Sequence, residues 1–502
     1  MIVDTFSSIL AGFSESLQVS RLFYCFLGSF LGTIVGVIPG LGPSATIALL
    51  LPITFHLDTV SAIIMLAGIY YGAQYGGSTT SILVNVPGES SSVVTAFDGY
   101  ALAKQGRAGP ALGMAAFSSF IAGTVGVVAL MLTAGPLGAF VLRFGPPEYF
   151  TLMLLGLALV CCLGEKSVLK SLVMAAIGLF LGTIGLETIS GKERFTFGIL
   201  ALQDGVGLVP VFMGMFGVSE VLSMMEKPAG QQVIEKPRGL LPTRRDWKDS
   251  GWAIARGSII GFFLGVLPGG GCTLASIAAY VTEKRFSKRP EKFGTGVMEG
   301  VAAPEAANNS AASGSFIPLL TLGIPSNVVT AMLLAALMIH GVVPGPMLIK
   351  ERPDIFWGVV TSMYVGNLIL LLLNLPLIGL FTSLLKMPYP ILAPIILSAC
   401  LIGAYSTNFN TGDVFIMIVS GGFGYLLKKV DFDVAPLVLA LVLGPPIEVA
   451  LRQSLMITRG NFLVFFQRPI ALFFFVLLLV AVFGPLLARR LSKGALRSHA
   501  PR

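Results

Sequence analysis

The segment from Pro304 to Phe316, "PEAANNSAASGSF", combines side chains capable of binding chemistry with very little bulk. It holds one carboxylate at Glu305, adjacent amides at Asn308 and Asn309, and a hydroxyl at Ser310. Carboxylate and amide oxygens can hold a cation, and amide N–H groups can donate to an anion. Ionisable groups in apolar segments are costly, so they predict function. Three roles stay open for Glu305: ligand of a coupling cation, proton carrier, or structural partner of the asparagines.

The composition predicts the class of element that positions these residues. The chain has 502 residues, of which 55% are hydrophobic and 12% charged, with a mean hydropathy of +0.86. Soluble domains carry about 25% charged residues. We therefore predict an all-α polytopic membrane protein with about twelve (10 to 14) transmembrane segments of roughly 20 residues each. Continuous apolar runs exclude an outer-membrane barrel. The apolar windows begin near Leu22, Val60, Ala111, Tyr149, Leu169, Val206, Ala253, Phe356, Ile391, Val414, Val434 and Ile470.

Charge and cysteine patterns exclude other classes. The net charge is +8, but Lys and Arg occur in short clusters between apolar runs, as the positive-inside rule requires, so no nucleic-acid partner is expected. The N-terminal segment lacks the basic region with which a signal peptide begins, so we expect no cleavable signal peptide. The five cysteines lack metal-site spacing, so we expect no metal and no cofactor.

Two sequence patterns recur in the same order. "GTIVGVIPGLG" at 32–42 is matched by "GFFLGVLPGGG" at 261–271, with Pro39 and Pro268 229 residues apart. "VVTA" at 93–96 recurs at 328–331. This predicts two repeat units, with residues 71–83 as the counterpart of 304–316. The expected divisions are residues 1–220 for the first transmembrane repeat unit, 221–250 for a polar basic linker, 251–460 for the second unit, and 461–502 for a terminal transmembrane helix and basic tail. Whether the repeats are inverted or parallel stays open.

Prolines within the repeated segments predict Gly/Pro-broken helices or re-entrant hairpins. The helix-breaking positions are Pro39, Pro87, Pro268 and Pro325. New helices are expected to begin near Ser44 and Thr273. Their first N–H groups and the positive ends of their dipoles could bind an anion without a charged side chain.

Lys and Arg are missing from the three windows that contain these motifs, 22–103, 257–283 and 293–349. An anionic substrate would be held there by backbone N–H groups, hydroxyls and amides. Small residues that let helices approach closely are the alternative interpretation. The candidate substrate-binding residues are Gly40, Gly42, Ser44, Thr46, Gly77, Ser78, Thr79, Thr80, Asn85, Gly269, Gly270, Gly271, Asn308, Asn309, Ser310, Ser326 and Asn327; the candidates for cation binding or coupling are Glu305, Asn308 and Asn309.

Five strings resemble the TctA family, the large membrane subunit of the tripartite tricarboxylate transporters. They are "GVIPGLGPSATIALLLP", "YYGAQYGGSTTSILVNVPGE", "FDGYALAKQGRAGPAL", "GVLPGGG" and "PEAANNSAASGSFIPLLTLGIPSN", and the resemblance covers nearly the whole chain. It implies a multi-pass permease of the bacterial inner membrane that is not an enzyme. The implied partners are a small TctB-like membrane subunit and a periplasmic TctC-like solute-binding protein. The implied activity is import of a carboxylate, such as citrate or another di- or tricarboxylate, coupled to a Na+ or H+ gradient.

Other functions are weighed against this one. A stand-alone carboxylate/cation symporter would need no binding protein. An intramembrane enzyme would need a catalytic constellation, but no histidine lies near the motif serines in sequence. A channel or scaffold would leave the paired broken segments unexplained. Paired breaks instead favour alternating access, elevator-like or rocking, around a midplane site.

Overall fold

The computed structural model describes residues 2–38, 41–163, 167–187, 189–199, 202–226, 237, 239–384 and 389–498. Most of these residues are helical and only four lie in strands, which confirms the all-α expectation. The helices are α1 Ile2–Ser16, α2 Val19–Val37, α3 Pro43–Thr54, α4 Thr59–Val84, α5 Thr95–Lys104, α6 Ala108–Val141, α7 Pro146–Leu163, α8 Val168–Leu181, α9 Leu208–Phe212, α10 Ser219–Met225, α11 Arg244–Val266, α12 Gly271–Phe286, α13 Glu299–Ile317, α14 Val328–Ile339, α15 Leu348–Glu351, α16 Pro353–Asn374, α17 Ile378–Leu384, α18 Tyr389–Asn408, α19 Thr411–Lys429, α20 Ala435–Ile457, α21 Val464–Gln467 and α22 Pro469–Ser498.

Short elements complete the described part of the chain. Strands β1 Gly185–Leu186 and β2 Glu193–Arg194 form an antiparallel pair, with Gly185 opposite Arg194. Met213–Val218 and Pro318–Leu322 are π-helical turns, of which the second follows α13 directly.

Eleven of the twelve predicted apolar windows overlap one α-helix each, and the window from Val206 runs over α9, the π-helical turn Met213–Val218 and α10. Among the described residues, seven helices are long and apolar enough to cross a membrane: Val19–Val37, Ala108–Val141, Pro146–Leu163, Leu208–Met225, Pro353–Asn374, Pro390–Asn408 and Ala435–Ile457. The chain is therefore a multi-pass membrane protein. The predicted linker 221–250 is described only at 221–226, 237 and 239–250.

The chain forms two compact units, Met1–Val141 with Gly207–Lys429, and Leu142–Val206 with Val430–Arg502. The second unit is held by α8 packing on α20 and by buried or half-buried ion pairs, such as Arg194 with Glu448 at 2.8 Å and Arg468 with Glu148 at 3.0 Å. The predicted repeat boundaries describe sequence relationships, not compact units, and stay predictions.

Glycines on α2 and α11 make equivalent contacts within the compact unit formed by Met1–Val141 and Gly207–Lys429. A β-carbon on Gly28, Gly32 or Gly36 of α2 would overlap a carbonyl oxygen of α4, that of Met65, Ile69 or Ala73, respectively. In the same way, a β-carbon on Gly257, Gly261 or Gly265 of α11 would overlap the carbonyl oxygen of Ala303, Ala307 or Ala311 of α13. Close backbone packing through glycines is typical of membrane helices. In each pair of helices, the residue numbers of the glycines and of the carbonyls they contact increase together in steps of four. The two helices of each pair, α2 with α4 and α11 with α13, therefore run parallel.

The α4 and α13 helices, in contrast, run antiparallel to each other. Ser78 of α4 bonds to Glu305 near the start of α13, whereas the Tyr71 ring lies 5.6 Å from that of Phe316 near the end of α13. Since α4 and α13 occupy equivalent positions in the two glycine-packed pairs, the repeats are inverted. The sequence left this direction open.

The same packing corrects the expected counterpart of residues 304–316. Met65 and Ala303 are 238 residues apart, and Gly76 and Gly314 make equivalent contacts with the carbonyl oxygens of Thr33 and Phe262. The counterpart is therefore 66–78, not 71–83, because the loops before α4 and α13 differ in length.

Non-helical segments separate α2 from α3 and α11 from α12, where prolines were expected to break helices. α2 ends at Val37 and α3 begins at Pro43, while α11 ends at Val266 and α12 begins at Gly271. The positions Pro87, Pro268 and Pro325 lie between helices. Pro39 and Gly40 lie outside the described residues.

Candidate functional site

Helix α13 is buried from Gly300 to Ile317 and carries the polar segment through the interior of the larger compact unit, Met1–Val141 with Gly207–Lys429. Its alanines, serines and glycine let α4, α6, α11 and α12 pack closely around it. This explains how a segment with so many polar groups can be internal. Each group meets a partner on a neighbouring helix or on α13 itself.

Glu305 is fully buried and receives neutral donors from the other repeat. Ser78 of α4 donates to Oε2 at 2.5 Å, and Thr95, the first residue of α5, donates to Oε1 at 2.5 Å. Asn308 adds a longer bond of 3.3 Å to Oε2. Among the described residues, no Lys or Arg forms an ion pair with Glu305. The carboxylate is therefore held by hydroxyl and amide groups rather than by a fixed cation.

The asparagine pair is ordered by α13 itself. Asn309 donates to the carbonyl oxygen of Glu305 at 3.2 Å and to Oδ1 of Asn308 at 2.6 Å. Ser310 instead donates to the carbonyl of Ser258 on α11 at 2.7 Å. Ser310 is thus part of the helix packing, while the amides lie beside the carboxylate.

A second polar cluster lies at the other end of the α4–α13 contact. The hydroxyl oxygen of Tyr70, on α4, lies 3.1 Å from Cys272 Sγ and accepts a hydrogen bond from Nδ2 of Asn327 at 3.0 Å. Asn327 also caps α14 reciprocally with Thr330, and Gly269 N donates to Ser326 O at 2.9 Å. The second broken segment and the start of α14 are thereby joined to α4.

Gln74 lies one turn from both Tyr70 and Ser78 on α4, between the two clusters. Its side chain is fully buried, its Oε1 accepts from Ser91 at 2.5 Å, and its Nε2 has no partner among the described residues. A buried, half-satisfied amide is costly. The Nε2 of Gln74 is therefore a buried donor without a partner among the described residues, located between the two clusters.

The start of α12 is linked to the segment after α4. Ser90 and Thr273 have their hydroxyl oxygens 2.9 Å apart, and Ser92 donates to the carbonyl of Gly77 at 3.1 Å. The side chain of Glu89 lies over Gly77 and near Gly42, the N-cap of α3. A carboxylate therefore already lies near the start of a broken helix.

The structure brings some of the candidate residues together in two clusters and places the other described ones apart. Ser78, Glu305, Asn308 and Asn309 come together, and Ser326, Asn327 and Gly269 form the second cluster. Gly42, Ser44, Gly270 and Gly271 occupy the helix starts, Thr46 and Thr80 donate to carbonyls of their own turns, Gly77 and Thr79 are buried within α4, and Ser310 packs α13 on α11. Asn85 ends α4 in a left-handed conformation and is exposed, away from Glu305.

Sequence reasoning missed Thr95, Gln74, Tyr70 and Ser119 as polar contacts of this region. Ser119 donates to the carbonyl oxygen of Glu305 at 3.4 Å. Thr95 lies within the repeated "VVTA", and Gln74 is the only amide in the apolar stretch of α4, so both carried a signal. Tyr70 carried none, because aromatic residues are common in buried helices.

Comparisons with known proteins agree with these features. A family model described as "Tripartite tricarboxylate transporter TctA family" matches residues 22–439. Two similar proteins come from Agrobacterium vitis. An uncharacterized 52.8 kDa protein in the TAR-I ttuC' 3' region is 48% identical over 471 residues, or 94% of each chain. An uncharacterized protein in the TAR-II ttuC' 3' region is 51% identical over 233 residues, or 46% of this chain and 96% of that protein. No solved structure matches.

Proposed function

The chain belongs to the TctA family of tripartite tricarboxylate transporters, and from this premise we propose that it is the permease subunit of a binding-protein-dependent secondary transporter. The substrate is a carboxylate, either a di- or tricarboxylate such as citrate or a related organic acid. Import is coupled to a gradient of Na+ or H+. The family is a transporter family, and the proposal accordingly assigns no catalytic residue.

One observation carries the proposal: two inverted broken-helix repeats meet at a buried carboxylate that has neutral donors from both. Inverted repeats with interrupted helices are the architecture of many secondary transporters, which bind substrate where the repeats meet. Glu305 with Ser78 and Thr95 lies at that meeting place. The same contacts would change if one repeat moved against the other, as elevator-like or rocking alternating access requires.

The substrate carboxylates would be held by neutral groups. We assign this role to the first N–H groups of α12, to the free end of the Gln74 amide, and to Asn327, whereas Glu89 already lies at the start of α3. Neutral donors suit transport because a bidentate ion pair with Arg would hold the anion more strongly. Glu305, Asn308 and Asn309 would serve coupling.

The energetics favour cation coupling. Moving one negative charge into a negative-inside cell costs about 2.3 kcal/mol per 100 mV. A dianion or trianion therefore needs at least as many co-transported cations as it has charges to avoid opposing the potential. The subunit would act in the bacterial inner membrane with a small TctB-like subunit and a periplasmic TctC-like solute-binding protein.

Reconstitution tests this function directly. The chain and the small subunit are placed in proteoliposomes, the binding protein is loaded with radiolabelled carboxylate, and uptake is followed with and without inward Na+ or H+ gradients. We expect uptake only when both the binding protein and a cation gradient are present. Gradient-driven uptake without binding protein would favour the stand-alone symporter. Absence of carboxylate uptake under every gradient would overturn the transport proposal.

A further inference from the structure

A small cavity lies beside Glu305, bounded by α4, α6, α16 and the start of α17. Its volume is about 10 Å3, which is room for one water-sized occupant. Its polar lining comes from Tyr75, Ser78, Thr79, Ser119 and Asn374. Apolar side chains form the remainder of the wall, and no Lys or Arg is among the lining residues.

Two of the lining side chains have buried oxygens without a partner among the described residues. They are the hydroxyl of Tyr75 and Oδ1 of Asn374, in residues that are 3% and 5% exposed. The Nδ2 of Asn374 already donates to the carbonyl of Leu370 at 2.9 Å, so the oxygen is the atom it has left to offer. Burying such atoms unpaired is unfavourable. An occupant that accepts electron pairs from oxygen would relieve that cost.

Ser78 connects the cavity with the carboxylate. Its hydroxyl donates to Glu305 at 2.5 Å and lies 3.2 Å from the carbonyl oxygen of Gln74, and the lone pairs of its oxygen accept no hydrogen bond from the described residues. Ser119 likewise touches both the cavity and the backbone of Glu305. A positive charge in the cavity would lie one hydroxyl away from a buried negative charge. Hard cations prefer oxygen ligands, and transporters bind Na+ through neutral oxygens such as backbone carbonyls.

We propose that this cavity is the binding site of the coupling cation and that the cation is Na+. The ligands are Tyr75 Oη, Ser78 Oγ, Thr79 Oγ1, Ser119 Oγ and Asn374 Oδ1, while Glu305 balances the charge through Ser78. The cavity favours Na+ over the larger K+ because it has room for a single small occupant. This inference rests on the proposed function for its role in transport, but the binding itself does not depend on transport.

Binding is tested with the purified full-length chain in detergent. Its thermal unfolding is followed while NaCl replaces choline chloride or KCl at constant ionic strength. A ligand that binds only the folded state raises Tm in a saturable way. We expect Na+ to raise Tm saturably and K+ to have at most a small effect. An equal response to all three salts would overturn the proposal and leave a water molecule or proton as the occupant.

Two tyrosines provide a matched pair of variants. Tyr75→Phe removes one oxygen from the cavity, whereas Tyr71→Phe removes an equally buried and unpartnered hydroxyl one turn away on the same helix, outside the cavity. We expect Tyr75→Phe and Asn374→Leu to raise the half-saturating Na+ concentration at least tenfold, and Tyr71→Phe to leave it unchanged. Equal Na+ responses of Tyr75→Phe and Tyr71→Phe would overturn the site.

Uptake assays separate the two levels of the proposal. Carboxylate uptake driven by an H+ gradient alone, without any Na+ dependence, would overturn the coupling role of the Na+ site and leave the transport function standing. Saturable Na+ binding without carboxylate uptake under any gradient would support the site and overturn the transport function.

Discussion

The hydroxyl of Ser78, on α4, donates a 2.5 Å hydrogen bond to Glu305, on α13, 227 residues away in sequence. The two helices are equivalent members of inverted repeats, so this bond joins the halves of the molecule at a buried carboxylate. Thr95 binds the other carboxylate oxygen from the same repeat as Ser78. Any movement of one repeat against the other must alter these bonds.

The first prediction concerns the charge at Glu305. Glu305→Gln keeps the shape of the side chain but removes the negative charge and places an amide where two hydroxyl donors converge. We expect carboxylate uptake to fall at least 100-fold, while membrane insertion and detergent extraction remain normal. Glu291→Gln, at an exposed position before α13, is the matched control and should transport normally. Normal uptake by Glu305→Gln would restrict Glu305 to packing.

The second prediction concerns the half-satisfied amide of Gln74. Gln74→Leu removes the free donor group, so the KM for the carboxylate should rise about tenfold, equivalent to about 1.4 kcal/mol. Gln74→Glu keeps the length of the side chain and should reduce uptake further, because a carboxylate repels an anionic substrate. Both effects are measured from the rate of uptake at a series of concentrations of carboxylate-loaded binding protein. An unchanged KM in Gln74→Leu would exclude a substrate contact.

The third prediction concerns glycine packing between α11 and α13. Gly261→Ala would place a methyl group against the carbonyl oxygen of Ala307, so the helices must separate. Overpacking of this kind costs about 1–3 kcal/mol, and Tm in detergent should fall by several degrees. Gly251→Ala on the same helix meets nothing within 4 Å and is the control. It should leave Tm unchanged or slightly raise it, since alanine favours helices.

The fourth prediction concerns Asp98, a fully buried carboxylate on α5. It accepts bonds from the backbone N–H groups of Gly294, Gly296 and Val297 at 2.8–3.0 Å, and from the Tyr280 hydroxyl at 2.8 Å. Asp98→Asn would direct an NH2 group at these donors, and unfolding should become easier by about 1–3 kcal/mol.

Tyr280→Phe removes only one of those donors and should cost less than Asp98→Asn, again measured as Tm. Equal losses in the two variants would mean that the backbone bonds to Asp98 contribute nothing beyond the tyrosine contact.

The fifth prediction concerns pH and Asp246, in the first turn of α11 ahead of its apolar stretch. Burial raises the pKa of Asp246, but hydrogen bonds from Arg107 and Thr243 outweigh burial and hold the pKa below its ordinary 3.8. Because the folded-state pKa is lowered, the stabilisation is present above pH 3.8 and is lost as the pH falls through the lower folded value. Asp246→Asn should therefore cost about 1 kcal/mol at pH 7.

The test is the difference in Tm between wild type and Asp246→Asn across a pH series. The difference should narrow as the pH falls from 5 towards 3. A difference that stays constant over this range would show that the charge of Asp246 contributes nothing to stability.

The sequence by itself determined the class of protein and the helical windows, and it singled out the segment around Glu305 as a candidate site. These follow from local properties: apolar run length, the lack of a backbone donor in proline, and the cost of a carboxylate in an apolar setting. The repeated glycine and proline strings were also sufficient to predict two related units.

Only the tertiary structure decided the direction of the repeats and the partners of Glu305. Direction depends on how each helix crosses its neighbours, which spacing along the chain does not specify. The bonds from Ser78 and Thr95 to Glu305 span more than 200 residues, and the cavity beside them is bounded by α4, α6, α16 and α17, which come from distant parts of the sequence. Tyr75 and Asn374 look like ordinary interior residues in the sequence, because an unpaired oxygen is a property of the packed surroundings and not of the residue.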